Sequence, residues 1–82
     1  MNDGEYNRLY WQCRRGMREL DLLLQGFLRQ HRDWLDRERQ ACFETLLNYP
    51  DAVLLEWLMG RQVPSDKEVA QLVRNIRNTA AA

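Results

Sequence analysis

No apolar run in the sequence approaches the roughly 20 residues that a bilayer-spanning helix needs, so no membrane insertion is expected. Cysteine is scarce, with only Cys13 and Cys42, and His31 is the sole histidine. Their separation fits no zinc spacing. Nothing suggests a secreted disulfide framework, and the two thiols are expected to stay free and half-buried in a reducing compartment. The four glycines are scattered, which leaves no phosphate-binding glycine loop. Neither sign of charge prevails: 12 basic and 12 acidic side chains give a net charge of zero. A neutral total argues against holding nucleic acid mainly through phosphate contacts. The opening Met1-Asn2-Asp3-Gly4-Glu5 has neither the apolar run of a signal peptide nor the Arg- and Ser-rich character of a transit sequence. A cytoplasmic location is therefore expected.

What is present is an ordinary globular balance, 45% apolar and 29% charged over 82 residues, enough for a single domain with one modest core. Apolar residues recur at helical spacing almost throughout, and no run alternates as a half-buried strand does. Five short helices follow, an all-α class. The first spans about residues 5 to 15, with Tyr6, Leu9, Tyr10 and Cys13 on one stripe, and Gly16 then ends it or lets two helices meet at a tight corner. In the second, about residues 17 to 30, Leu20, Leu23, Leu24, Phe27 and Leu28 form one buried face. Gly26 marks either an early end of that helix or a close contact.

Asp36 is a good N-cap for a third helix carrying Cys42, Phe43, Leu46 and Leu47 inward. Asn48-Tyr49-Pro50 stops it, because a residue before proline is pushed out of the helical region. Asp51 then caps a short fourth helix, residues 52 to 59, burying Leu54, Trp57 and Leu58. Ser65 and Glu68 stand at capping-box spacing before a last helix with Val69, Leu72, Val73 and Ile76 inward. Residues 78 to 82 have nothing to pack against and are expected to fray. Short connections make a compact bundle the natural architecture.

The informative side chains are those a core does not explain. Arg8, Trp11 and Arg15 fall at i, i+3 and i+7 on a face of the first helix beside its buried stripe. Aromatic and Arg side chains dominate binding hot spots, so this face suits docking; the alternative is Trp11 packed under a loop with the arginines lying over it. The stretch Arg14-Arg15-Gly16-Met17-Arg18-Glu19 is the most unusual. Gly16 lets a partner's backbone approach closely, Arg15 can take a carboxylate or phosphate bidentately, and Glu19 can accept hydrogen bonds. The alternative is a solvated corner with Arg15 and Glu19 paired across a turn. The constellation of nucleophile, base and orienting group that an enzyme needs is missing.

Trp11-Gln12-Cys13-Arg14-Arg15-Gly16-Met17-Arg18-Glu19-Leu20-Asp21 resembles the signature of the succinate dehydrogenase assembly factor family, small flavinylation factors of bacteria and mitochondria. The family hallmark Arg-Gly-x-x-Glu is matched by Arg15, Gly16 and Glu19. Phe43-Glu44-Thr45-Leu46-Leu47, Glu56-Trp57-Leu58-Met59-Gly60 and the proline-and-cap entry to the last helix are also similar, so the likeness runs from about Arg8 to Ile76. The resemblance implies a five-helix, non-enzymatic chaperone. Such a factor binds the flavoprotein subunit of succinate dehydrogenase, and in bacteria of fumarate reductase, and promotes covalent attachment of FAD to a client histidine. It also implies that the Arg15, Gly16 and Glu19 surface meets the client, with Arg8, Trp11, Met17 and Arg18 widening the contact. FAD then belongs to the client and no cofactor is held tightly by this chain, which is expected to act as a monomer. The competing classes are a regulator or antitoxin-like protein that binds DNA or inhibits a partner, and a structural subunit of a larger complex.

Overall fold

The computed structural model describes residues 1–81, and three of its five helices start at a side-chain cap. Asn2 and Glu5 form a capping box: the Asn2 side chain accepts from the Glu5 N–H at 2.8 Å, and Glu5 Oε1 accepts from the Asn2 N–H at 3.2 Å. This starts α1 (Asp3–Gln12) two residues earlier than the apolar spacing alone predicts. The helix also ends earlier, so Arg14 and Arg15 lie outside it. α2 (Arg18–Gln30) begins after Met17, which is extended and gives no side-chain cap. Asp36 caps α3 (Arg37–Leu47) as expected, accepting from the Arg39 N–H at 2.9 Å.

Two caps differ from the sequence expectation. Asp51 is the first residue of α4 (Asp51–Leu58), not its cap; Pro50 holds that position. Asp51 is instead drawn into an ion pair described below. At α5 (Lys67–Ala81) the capping side chain is Asp66, not Ser65: its Oδ1 accepts from the Glu68 and Val69 N–H groups at 2.9 and 3.0 Å. Between α4 and α5 the chain reverses at Gly60, whose φ of +78° belongs to the left-handed region. The Arg61 N–H reaches back to Glu56 O and the Gly60 N–H to Trp57 O, the paired bonds of a Schellman ending.

α5 packs against α2, α3 and α4, and α1 lies on α2. All five helices feed one buried cluster, with Leu9, Leu24, Phe27, Phe43, Leu46, Leu54, Leu58, Leu72 and Ile76 among its members. Leu35 and Cys13 join it from the connections. Tyr6, Tyr10 and Leu23, expected on buried stripes, are only partly buried against this cluster. Residues 78 to 81, expected to fray, are helical and continue α5, and Thr79 lies 2.8 Å from His31 Nε2. Thr79 donates its own proton to Asn75 O, so its oxygen accepts from the imidazole. Ala82, part of the expected frayed tail, lies outside the described residues. No helix among the described residues is long and apolar enough to cross a membrane.

Gly26 neither ends α2 nor marks a close approach: a side chain built there would meet nothing within 4 Å. Gly26→Ala is therefore expected to stabilise the protein by about 1 kcal/mol, since alanine loses less backbone entropy in a helix. Calorimetry should show the midpoint rising by about 4–8 °C. An unchanged or lower midpoint would mean that the glycine serves some local packing need.

Candidate functional site

The corner joining α1 to α2 is built around Gly16, whose φ of +83° is the left-handed conformation that L side chains rarely adopt. Nothing lies within 4 Å of where its Cβ would stand. The corner is thus open on its outer side, and an alanine there would meet backbone strain, not a neighbour.

Arg15 does not project from this corner. Its side chain is 17% exposed and turns inward across the connection between α3 and α4. Nε donates to Asp51 Oδ1 at 2.7 Å, Nη1 to Leu47 O at 2.7 Å and to Gln12 O at 3.2 Å, and Nη2 to Tyr49 O at 3.0 Å. Leu47 O and Gln12 O are carbonyls at the ends of α3 and α1, where a cation and its donors are favoured. The Arg15 backbone N–H donates to Asp21 Oδ1 at 2.6 Å, tying the corner to the first turn of α2. One residue thereby fastens four helices, α1 through Gln12, α2 through Asp21, α3 through Leu47 and α4 through Asp51.

The expectation that Arg15 shares a helical face with Arg8 and Trp11 therefore fails, because α1 stops at Gln12 and the periodicity stops with it. The alternative pairing of Arg15 with Glu19 is not formed either; Asp51 takes the guanidinium. Arg8 donates to Glu44 at 2.7 Å, linking α1 to α3. Trp11 is 66% exposed, so it is not packed under a loop, and the Arg14 guanidinium lies 5.3 Å from its ring centre. Glu19 and Arg18 are exposed at the start of α2, and Met17 is half-buried against the core. Trp11, Arg14, Gly16, Arg18 and Glu19 are thus among the residues at this corner with free outer faces.

Cys13 sits beneath the corner, fully buried. Burial pushes its thiol up to about 12, with Arg15 opposing the shift. Cys42 is also raised, chiefly by burial and then by Glu68. Both are free, but Cys13 is more buried than the half-buried thiol expected. Cys13 stays protonated when folded, whereas the unfolded thiol ionises near 9.0. Its contribution to stability is therefore intact below pH 9 and is lost as the pH rises from there toward 12. At pH 8 a thiol-specific disulfide reagent should modify Cys42 first, and Cys13 only as fast as the protein opens. Two equally fast thiols would contradict the buried placement. Among the described residues no group of His, Cys, Asp or Glu is placed to hold a metal ion.

Residues 7–80 match the sequence profile of a family described as "Flavinator of succinate dehydrogenase". The chain belongs to this flavinator family. Several relatives are similar to it along about nine-tenths or more of their length. It is 46% identical to "FAD assembly factor SdhE" of Legionella pneumophila (strain Paris) over 78 residues, which cover 95% of this chain and 98% of the relative. With the protein of the same name from Pseudomonas aeruginosa it shares 43% identity over 75 residues, 92% and 89% of the two chains. That from Coxiella burnetii is 35% identical over 74 residues, 90% of each. These relatives are named as assembly factors, which agrees with the non-enzymatic role expected from the sequence.

Membership of the flavinator family displaces the DNA-binding and structural-subunit readings. Sequence reasoning missed Leu22 and Gln25, which line a shallow groove beside Gly16 together with Tyr10, Arg14 and Arg18. A signal for Leu22 was present: it is the one leucine of α2 off the buried stripe, and it is 61% exposed.

Proposed function

We propose that this chain is an FAD assembly factor: it binds the flavoprotein subunit of succinate dehydrogenase and promotes covalent attachment of FAD to it. The same reading extends to the related flavoprotein of fumarate reductase. The observation that carries it is the open, left-handed Gly16 corner with Glu19 and Trp11 exposed beside it, in a chain of the flavinator family. Gly16 admits the client's backbone, Glu19 accepts its hydrogen bonds, and Trp11, Arg18 and Arg8 broaden the contact. Arg15 acts behind this surface by holding the corner in shape, and Met17 seats it on the core.

FAD stays with the client, and so does the histidine that receives it. A small rigid protein accelerates such a step by binding one client conformation better than the others, without supplying a reacting group. Cys13 is poorly suited to take part, since a buried thiol held protonated is a weak nucleophile. A polar patch around one large aromatic suits a transient interface. The factor works as a monomer in the cytoplasm and leaves once the flavin is attached.

Glu19→Ala is the test. An exposed carboxylate contributes little to stability, so the melting temperature should match that of the parent. Covalent flavin on the client, seen as in-gel fluorescence after incubation with FAD, should form about tenfold more slowly, the loss of one charge-assisted hydrogen bond. Full activity in the folded variant would remove Glu19 from the surface.

A further inference from the structure

The groove beside Gly16 has an electrostatic character that the net charge of zero conceals. It is an open depression of about 490 Å³, with Tyr10 and Leu22 as its apolar lining and Arg14 and Arg18 as its cationic lining. Arg18, Leu22 and Gln25 follow one another at i, i+4 and i+7, so they form a single stripe of α2. Glu19 is turned about 100° from Arg18 around the helix axis and does not line the groove.

Arginine use at the corner is divided. Arg15 spends its donors inside the fold, on Asp51 and on the Leu47, Tyr49 and Gln12 carbonyls. Among the described residues, neither Arg14 nor Arg18 has a carboxylate within ion-pair distance. Arg14 lies over the Trp11 ring, a stacking that leaves its in-plane N–H groups free to donate. Asp21, the one acidic residue lining the groove, already accepts from the Arg15 N–H. Among the described residues, two guanidinium groups therefore line the groove without an ion-pair partner, and Leu22 and Trp11 are exposed near them.

We propose that this groove receives an acidic segment of the client flavoprotein, in which an apolar side chain set against Leu22 and Tyr10 is flanked by carboxylates held by Arg14 and Arg18. The inference rests on the docking role proposed above and adds the chemistry of what docks. A polypeptide carboxylate is favoured over a free phosphate because the cationic lining is interleaved with exposed Leu22 and half-buried Tyr10. A hydrated inorganic anion or a pyrophosphate would leave that apolar surface uncovered. The pattern also sets direction: Glu19 takes donors from one part of the client while the arginines take acceptors from another, and opposite charges at fixed separation define register.

The test uses the full chain, the purified flavoprotein subunit without covalent flavin, and the double variant Arg14→Gln/Arg18→Gln. Both arginines are exposed, so the variant should melt with the parent. Binding is followed by fluorescence anisotropy of the labelled chain at low and high salt. The variant should bind about tenfold more weakly at low salt and lose most of the salt dependence that the parent shows. Leu22→Ser should weaken binding at both salt concentrations alike. An Arg14→Gln/Arg18→Gln protein with the parent's affinity and salt slope overturns the inference while leaving the docking role standing. Failure of the parent itself to bind the flavoprotein overturns both. A parallel titration of the chain alone with FAD separates the anion sources. Arginine-dependent binding of FAD would assign the cations to the dinucleotide phosphates and overturn the polypeptide assignment.

Discussion

Phe43→Ala should lower the unfolding free energy by about 3–5 kcal/mol, the usual cost of emptying a buried aromatic site. Phe43 is fully buried on the inner face of α3, with its ring centre 5.9 Å from that of Phe27 on α2. Phe27 in turn stacks on His31 at 4.7 Å and meets the edge of Trp34 at 6.2 Å. Truncation at Phe43 thus opens a void where α2, the α2–α3 connection and α3 converge. A domain of this length is stable by only about 4–12 kcal/mol, so the loss is a large share of the total. Phe43→Leu keeps most of the apolar volume and should cost about 1–2 kcal/mol. Urea unfolding monitored by tryptophan fluorescence gives both values from the shift in midpoint at constant slope. A Phe43→Ala midpoint equal to that of the parent would mean that α3 does not dock through this residue.

Arg15→Met should cost about 2–4 kcal/mol, although the residue carries a charge and stands in a loop. The size of the effect comes from what is left behind. Leu47 O and Tyr49 O lose their guanidinium donors in a half-buried setting, and the α3–α4 connection loses its tie to the end of α1. Arg15→Lys should recover only part, because one ammonium cannot reach Asp51, Leu47 O and Tyr49 O together in the planar arrangement of a guanidinium. Asp51→Ala should cost less, about 0.5–1 kcal/mol, since that carboxylate is 38% exposed and partly screened. A double-mutant cycle would then assign most of the Arg15 contribution to its carbonyl partners. Arg15 variants should lose flavinylation together with stability, whereas Glu19→Ala should lose flavinylation alone. Equal melting temperatures for Arg15→Met and the parent would return Arg15 to the outer surface.

On the proposed reading, one short motif serves two purposes. Arg15 faces inward, Gly16 turns the backbone, and Glu19 faces outward, all within the five residues from Arg15 to Glu19. A conservative exchange at each position should therefore fail for a different reason: lost bonds to α3 and α4 at Arg15, backbone strain at Gly16, and a missing acceptor for the client at Glu19. Stability measurements made beside activity measurements distinguish the three.

Sequence by itself determined that the chain is helical, where its five helices lie to within about three residues, and most of the side chains that form the core, although Leu35 was missed and Tyr6, Tyr10 and Leu23 are only partly buried. Those properties follow from local rules: the 3.6-residue recurrence of apolar positions and the short-range chemistry of glycine, proline and Asp36. Family likeness also rests on the sequence, because the Arg15, Gly16 and Glu19 spacing sits within a longer similar context. Local rules were weaker where two capping candidates stood side by side, as with Ser65 and Asp66, or where a capping box lay among polar residues, as with Asn2 and Glu5. Only the tertiary structure decided the role of Arg15, because its partners come from Leu47, Tyr49 and Asp51, more than thirty residues further along the chain. It alone decided that Asp51 pairs instead of capping and that Trp11 is uncovered. It also brought Arg14, Arg18 and Leu22 together around one groove. Periodicity shows which way a residue faces on its own helix, but the distance between side chains on different elements is set by how the helices pack.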